Sequence, residues 1–188
     1  MLTHRLATKE DFPALLELMA CAIDRLQRDY LTDAQIAASH EIMGLDAQLV
    51  TDRTYFIVDC GGALAGCGGW SRRATLYGGD HSTALRNAVL LDPTLDGARV
   101  RAMYTHPSFA RRGVGRLILR LCEQAAMSEG FCRAQLMATL SGEPLYLSCG
   151  YIEIERTTDA PIDGITVPLV LMEKTLTERN HPLSTAEL

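Results

Sequence analysis

One stretch of the chain decides its fold: residues 103–116, which read Met-Tyr-Thr-His-Pro-Ser-Phe-Ala-Arg-Arg-Gly-Val-Gly-Arg. Ala98 to Thr105 predicts a β-strand that ends at His106-Pro107. A basic loop over 108–112 follows, and a helix is predicted to begin at about Gly113. The backbone N–H groups of such a turn can converge on one point, and a helix N-terminus adds unpaired N–H groups and partial positive charge. The stretch therefore predicts a binding site for a phosphate or pyrophosphate.

The residue types in the turn support this interpretation. Gly113 and Gly115 lack Cβ atoms, so an anion can approach the backbone closely. Arg111, Arg112 and Arg116 add charged hydrogen-bond donors around the same point. The P-loop pattern Gly-x-x-x-x-Gly-Lys-Ser/Thr and the dinucleotide pattern Gly-x-Gly-x-x-Gly are both absent. A tight turn with a solvated basic surface is the structural alternative, but two arginines before two glycines at a helix entry favour anion binding.

Amphipathic helices are predicted on both sides of this turn. The helix after the turn is predicted to end at Gly130 and carries an apolar stripe: Val114, Leu117, Ile118, Leu121, Cys122 and Ala125. Near the N-terminus, Asp11 is predicted to cap a helix whose first turn contains Pro13. The stripe of this earlier helix is Leu15, Leu18, Met19, Ala22, Ile23 and Leu26. A further helix is predicted over Asp33 to Met43, ending near Gly44.

The strand-forming segments are spread along the whole chain: Thr3–Thr8, Thr54–Cys60, Ala63–Trp70, Ala98–Thr105, Cys132–Thr139, Tyr151–Thr157 and Ile165–Thr175. Gly61-Gly62 predicts a hairpin turn, and Ser141 predicts the cap of a short helix over Glu143–Ser148. Residues 71–97 are irregular, with a short helix predicted over Ala84–Leu91. The order β, α, α, β, β, β, α, β, α, β, β predicts a mixed α/β (α+β) sheet rather than a doubly wound one.

Composition narrows the class of protein. A chain of 188 residues with 47% hydrophobic residues predicts one globular domain. The formal net charge of −5 argues against nucleic acid or an anionic membrane as partner. No apolar run approaches the roughly 20 residues of a membrane span. The N-terminus lacks the apolar core of a signal peptide, so a cytoplasmic location is expected.

Six cysteines are present, at 21, 60, 67, 122, 132 and 149. They form no Cys-x-x-Cys pair and have no His cluster nearby, so no metal site is predicted. Their mostly apolar neighbours favour small buried side chains in a reducing compartment. Cys149 as a nucleophile is the alternative, but no His lies close to it in sequence.

The turn resembles the pyrophosphate loop of the GNAT acyltransferases. The chain matches the family motif Gln/Arg-x-x-Gly-x-Gly/Ala at Gly113 and Gly115. At the first motif position it has Ala110 instead of Gln or Arg. The downstream element Tyr146…Gly150-Tyr151 and the order of the strands and helices extend the resemblance to about residues 3–175. It implies the GNAT fold: a mixed central sheet with a splayed pair of strands and helices on both faces. The expected domain is 1–175, followed by a polar C-terminal tail over 176–188.

The resemblance implies a transferase that moves an acetyl group from acetyl-CoA to a primary amine by direct attack in a ternary complex. Transfer of a longer acyl group, such as succinyl, is an alternative. The alternative is a noncatalytic acyl-CoA-binding sensor on the same fold, but retention of Tyr146 favours catalysis. A nucleotide-binding protein is disfavoured because no Mg²⁺-ligating Ser/Thr follows the loop. The expected acceptor is a small-molecule or peptide amine, and a homodimer is compatible with the family.

Site residues are carried over from the same resemblance. Tyr146, otherwise a core aromatic, would donate a hydrogen bond or proton to the departing thiolate, since a thiol has a pKa of about 8.5 and a phenol about 10. Backbone groups of the bulged strand and the loop would hold coenzyme A: Met103, Tyr104, Thr105, Ala110, Arg111, Arg112, Gly113, Val114, Gly115 and Arg116. The acceptor is expected between residues 24–44, 71–97 and 158–165, where Trp70, Tyr77, Asp80 and Glu41 are candidates. The candidates for the general base are Glu41, Asp80, His81 and Glu143, and the sequence does not decide between them.

Overall fold

The computed structural model describes residues 1–177, and within this range seven strands form a single sheet in the order β1-β2-β3-β4-β5-β7-β6. The strands are Leu2–Leu6 (β1), Tyr55–Cys60 (β2), Ala63–Ser71 (β3), Ala98–Thr105 (β4), Arg133–Thr139 (β5), Ile152–Thr158 (β6) and Pro168–Thr175 (β7). The helices are Phe12–Leu26 (α1), Asp33–Ile42 (α2), Ala47–Thr51 (α3), Val114–Ser128 (α4) and Glu143–Ser148 (α5). From residue 178 onward, the predicted polar tail lies outside the described residues.

The sheet is mixed, as the sequence predicted. β4 and β5 run parallel, whereas the other neighbouring strands described here are antiparallel. Gly61 and Gly62 adopt positive φ angles of 62° and 83° between β2 and β3, which confirms the hairpin turn. In the described part of the chain, no helix is both long enough and apolar enough to cross a bilayer.

Helices cover both faces of the sheet. On one face, α1 buries Leu15, Leu18 and Met19 against strand residues such as Tyr55 and Ile57. On the other face, α4 buries a row of side chains together with residues of β2–β5: Val114, Ile118, Leu119, Cys122 and Ala126. β2 and β3 therefore bury apolar side chains on both faces of the sheet, between two helical layers.

α4 approaches β3 closely because glycines line that strand. A Cβ atom on Gly66 would lie 2.5 Å from Val114 Cγ1, and one on Gly68 would lie 2.7 Å from Ile118 Cγ2. These distances are far below van der Waals contact, so a side chain at either position would displace side chains of α4 or atoms of the neighbouring strand β4. The glycines thereby fix how deeply the start of α4 sits on the sheet.

The buried face of α4 is rotated from the predicted stripe. Leu117, Leu121 and Ala125 are only half-buried, whereas Leu119 and Glu123 are buried. The Oε2 atom of Glu123 lies 2.8 Å from Nζ of Lys174 on β7, forming an ion pair inside the protein. Since this partner comes from a distant part of the chain, helical periodicity alone could not place a carboxylate on the buried face.

The helix predicted over Ala84–Leu91 is wrong. Only a single 3₁₀ turn forms there, at Thr83–Leu85. The following residues are extended and return along 72–75: the amides of Thr75 and Ala74 donate to the carbonyls of Asn87 (3.0 Å) and Val89 (2.9 Å). This tertiary pairing satisfies the backbone groups that a helix would have paired locally.

The two predicted N-caps have different outcomes. Asp11 is the N-cap residue of α1, as predicted, but its carboxylate makes no cap hydrogen bond. It accepts instead from the Arg5 guanidinium (2.6 and 2.8 Å) and the Thr8 amide (2.8 Å), which braces β1 against α1. Gly142, not Ser141, is the N-cap of α5. The short helix α3 was not predicted; the carboxylate of Asp46 caps it by accepting from the amide of Gln48.

We predict that Gly66→Ala lowers the free energy of unfolding by about 1–3 kcal/mol, because the added methyl group overpacks the α4–β3 interface. The measurement is urea denaturation followed by circular dichroism. Gly97→Ala is the matched control: a Cβ there meets the flexible Gln135 side chain at 3.1 Å and the Gln135 backbone nitrogen at 3.6 Å, which is an ordinary contact distance. Equal stability losses in the two variants would contradict this account of the interface.

Candidate active site

The site begins where β4 separates from β5. The parallel ladder between these strands contains the pairs Ala98–Ala134 and Arg99–Gln135, and β4 then diverges. β5 meanwhile stays paired with β7 along its full length, from Arg133 to Thr139. The sheet therefore opens into a wedge with β4 on one side and β5 on the other.

A β-bulge in β4 accompanies this opening. Arg101 pairs with Gly69 and Tyr104 pairs with Cys67, so Ala102 and Met103 together oppose the single residue Gly68. Ala102 has a φ of 50°, a left-handed conformation that is uncommon for alanine. The Tyr55 hydroxyl donates a 2.8 Å hydrogen bond to the Ala102 carbonyl and holds the bulge from the α1 face.

A cavity of about 890 Å³ fills the wedge and continues to both ends of it. Residues 102–105 of β4 form one wall, and Met137 and Thr139 of β5 face them. One end reaches the turn before α4 and the start of α5. The other end lies among the C-terminal half of α1, residues 42–44 and residues 76–78.

The turn before α4 lies between a strand and a helix, in the order that the sequence predicted. Arg111 and Gly113 have φ angles of 64° and 83°, and α4 begins at Val114. Left-handed residues in such a turn make successive N–H groups converge, and the first N–H groups of α4 have no partner within the helix. His106 shapes the turn, since its Nδ1 accepts from the Ser108 amide at 3.2 Å.

The two glycines of the turn serve different purposes. A Cβ on Gly113 would have no atom within 4 Å, so this glycine leaves the space in front of the turn open. A Cβ on Gly115 would lie 2.8 Å from Leu145 Cδ2. Gly115 thus leaves room for the Leu145 side chain of α5, a packing role that was not predicted from the sequence.

The three arginines of the turn are also not equivalent. Arg111 and Arg116 line the cavity, and Arg116 Nη2 donates to Ser148 Oγ at 3.0 Å. Arg112 lies over the ring of Phe109, 5.6 Å from its centroid. Two positive charges therefore stand at this end of the cavity, while the third packs on the outside of the turn.

Tyr146 reaches the middle of the wedge from α5. Its side chain is 8% exposed, and its hydroxyl lies 3.8 Å from Met103 Sδ, beside the bulge of β4. Burial raises the pKa of Tyr146 above the usual value of a phenol, with smaller contributions from Cys122 and Cys149. The hydroxyl therefore stays protonated at neutral pH and can act as a donor.

The four acceptor candidates are not brought together. Tyr77 lines the cavity, but Trp70 is buried in the core with its ring against Phe131. Asp80 is held 2.6 Å from Arg86, outside the cavity lining, and Glu41 is exposed on α2. His81 and Glu143, the other candidate bases, do not line the cavity, and Glu143 pairs with Arg156 at 2.5 Å.

The sequence analysis missed a buried ionic cluster behind the bulge. Arg101 and Asp46 are 5% and 0% exposed, and Arg101 Nη1 lies 2.6 Å from Asp46 Oδ2. Arg101 Nη2 also donates to the Gly78 carbonyl at 2.8 Å, which ties residues 77–78 to β4. An arginine within a strand-forming segment was the available signal, although its partners come from distant segments. Within residues 1–177, no three potential metal ligands come together.

Comparison with known proteins agrees with this geometry. Residues 51–153, more than half of the chain, match the model of the acetyltransferase (GNAT) domain. The chain belongs to the GNAT acetyltransferase family. It is therefore an enzyme of the acyl-CoA N-acyltransferase class, as the sequence motif predicted. No curated protein sequence matches the chain significantly.

Solved structures share the GNAT fold. A GCN5-related N-acetyltransferase from Rhodopseudomonas palustris aligns with a TM-score of 0.67 at 18% identity, covering 93% of this chain and 95% of the other. The PaiA N-acetyltransferase from Thermoplasma acidophilum, solved with coenzyme A, gives 0.63 at 14% identity, covering 93% and 99%. YncA, a putative acetyltransferase from Salmonella typhimurium solved with acetyl-CoA, gives 0.61 at 18% identity, covering 94% and 95%. The predicted GNAT architecture, with helices on both faces of a mixed sheet, is thereby confirmed.

We expect Ala102→Gly to leave the free energy of unfolding unchanged or to raise it by up to about 1 kcal/mol, because glycine adopts a left-handed φ without steric cost. Ala138→Gly on the regular strand β5 should instead lower it by roughly 0.5–1 kcal/mol. Chemical denaturation of the two variants measures both effects. A larger loss at Ala102 than at Ala138 would mean that the left-handed bulge is not strained.

Proposed function

We propose that this enzyme transfers an acetyl group from acetyl-CoA to a primary amine by direct attack, with both substrates in the one cavity. The observation that carries the proposal is the opening of β4 from β5 between the basic turn and Tyr146. A ligand lying along this opening would meet an anion-binding turn, a free strand edge and a phenol donor in that order. Acetyl-CoA presents the matching groups: a pyrophosphate, an amide-containing pantetheine arm and a thioester.

The turn before α4 fits a pyrophosphate. Its left-handed residues, Arg111 and Gly113, direct backbone amides to one side. The start of α4 adds the positive end of a helix dipole. Because backbone amides supply most of these donors, the alanine at position 110 removes only one side-chain donor from the site.

The edge of β4 fits the pantetheine arm. After Arg99, this edge no longer pairs with β5. Backbone groups of Met103 and Thr105 can then hydrogen-bond the arm as an added strand would. An N–H group near Met103 or Tyr104 would face the thioester oxygen and stabilise the negative charge that develops there during attack.

Tyr146 is proposed as the general acid. Its hydroxyl lies beside Met103, where the arm would end, and burial keeps it protonated. It would donate to the sulfur as the C–S bond breaks. A purely acyl-CoA-binding sensor would have no need of a donor at this place, so the position of Tyr146 supports catalysis.

Gly113→Trp should abolish detectable binding of acetyl-CoA or weaken it at least about tenfold, because the indole would fill the space in front of the turn. Isothermal titration with acetyl-CoA and with CoA gives the measurement. Gly61→Trp is the matched control, since Gly61 also has a left-handed φ and open space around its Cβ but lies in the β2–β3 turn. Wild-type affinity in both variants would refute the location of the pyrophosphate site.

Tyr146→Phe should lower kcat roughly 100-fold, the usual contribution of general acid–base catalysis, without changing the affinity for CoA. Release of CoA thiol in the presence of a panel of amines measures turnover, and calorimetry measures affinity. Equal loss of affinity and kcat would assign Tyr146 to binding. A wild type that binds acetyl-CoA but releases no thiol with any amine would favour the sensor function.

A further inference from the structure

The attacking amine must lose a proton, and the carboxylates singled out in the sequence do not reach the cavity. Asp80 is engaged by Arg86 and the Ala47 amide, and Glu143 is engaged by Arg156. Glu41 lies outside the cavity lining. A group that receives the proton has to be sought among the residues that do line the end of the cavity near α1, residues 42–44 and residues 76–78. We call this the acceptor end.

Tyr77 lines the acceptor end and has a buried carboxylate behind it. Its hydroxyl donates a 2.8 Å hydrogen bond to Asp159 Oδ1, and Asp159 is 6% exposed. Because the O–H bond points at Asp159, the lone pairs of the phenolic oxygen are left to accept a hydrogen bond from elsewhere. Burial first, and then the contact with Asp159, raise the pKa of Tyr77 to about 12, so the tyrosine itself stays neutral.

Both members of this pair are fixed in place. Gly78, the next residue after Tyr77, accepts from Arg101 beside the β4 bulge, which holds Tyr77 near the point where the sheet opens. Asp159 donates its backbone amide to the Val167 carbonyl at 3.0 Å. The ring of Tyr77 packs in a cluster with Ala38, Ile42 and Val167. Both side chains are thereby held in place beside the cavity that Tyr77 lines.

The surrounding wall indicates what kind of amine would enter. It is formed mainly by apolar side chains: Ile23, Leu26, Ile42, Met43 and Leu76. The cavity's arginines, Arg111 and Arg116, stand at the other end, and Arg101 is paired with Asp46. An acceptor with a carboxylate would find no free cation at this end of the described cavity. A polyamine would find a single carboxylate, that of exposed Asp29 at the rim.

We propose that Tyr77, backed by Asp159, receives the proton of the attacking amine, and that the acceptor is a primary amine on an apolar body. This inference rests on the proposed function and assigns its proton acceptor and acceptor class. Tyr77 is the catalytic residue because it would touch the amine, and Asp159 is a positioning residue that acts through Tyr77.

Each proton and each electron pair is accounted for over one turnover. The nitrogen lone pair forms the C–N bond, and the C–S bond breaks with its electron pair on sulfur. Tyr77 takes the surplus proton of the nitrogen while its own proton passes to Asp159. Tyr146 delivers a proton to the sulfur. Asp159 then releases one proton to solvent and Tyr146 regains one, so the products are an amide and a thiol.

The first test is a double-mutant cycle on kcat. Tyr77→Phe and Asp159→Asn should each lower kcat roughly 100-fold with 2-phenylethylamine, and the double variant should be no slower than either one, because the two residues act as a unit. The KM for acetyl-CoA should not change in any of them. Thr3→Val, which removes a hydroxyl from an exposed residue of β1 outside the cavity lining, should stay within about twofold of wild type.

Two results of this cycle would overturn the inference. One is a Tyr77→Phe variant as active as Thr3→Val. The other is a double variant whose loss is the product of the two single losses, accompanied by a raised KM for acetyl-CoA. The second pattern would mean that the pair only maintains the structure of the 158–165 turn.

The second test addresses the acceptor class and does not depend on turnover. The CoA-saturated protein is titrated calorimetrically with 2-phenylethylamine, spermidine and glutamate. Binding of 2-phenylethylamine alone is expected, weakened about fivefold in Tyr77→Phe by the loss of one hydrogen bond. Tighter binding of spermidine or glutamate would overturn the acceptor class.

Failure of the inference and failure of the proposed function give different results. If the wild type acetylates amines but the Tyr77 and Asp159 variants match it, only the inference falls. If the wild type releases no thiol with any of the three amines, the proposed transfer falls and the inference falls with it.

Discussion

The active site depends on one backbone constraint, the bulge of β4 at Ala102. Two residues of β4 oppose Gly68 alone, and the left-handed φ of Ala102 turns the strand away from β5. The Tyr55 hydroxyl holds the Ala102 carbonyl from one face, while Gly68 lets α4 pack tightly from the other. The ladder with β5 ends at Arg99, so the bulged part of β4 faces the cavity instead of a paired strand.

The two ends of the cavity differ in charge and in polarity. The end near α4 is positively charged and made largely of backbone donors, which suits a phosphate-bearing ligand. The other end is lined mainly by apolar side chains, and Arg101 ties Asp46 and the Gly78 carbonyl to the bulged strand there. A buried ion pair contributes little net stability, but removing either partner leaves an uncompensated charge, so it fixes geometry strongly. The same strand thus organises both ends of the cavity.

Glycines contribute both to the packing of this protein and to the space left for a ligand. Gly66 and Gly68 let α4 sit close to β3, and Gly115 lets α5 sit close to α4. Only Gly113 leaves space for a ligand, since no atom lies within 4 Å of its missing Cβ. Three of these four glycines therefore serve packing, and they bring the N-terminus of α4 and Tyr146 into the wedge.

The sequence by itself determined the family, the mixed sheet and the turn between β4 and α4, because these follow from local patterns: alternation in strands, helical spacing, and Arg-Arg-Gly-x-Gly at a helix entry. It also placed Tyr146 within a short helix. Tertiary structure alone decided the rotation of α4 toward Glu123, the extended path of 86–91, and the pairing of Tyr77 with Asp159. These depend on partners such as Lys174 or the strand segment 72–75, far away in the chain, and no local periodicity reports which distant groups will meet.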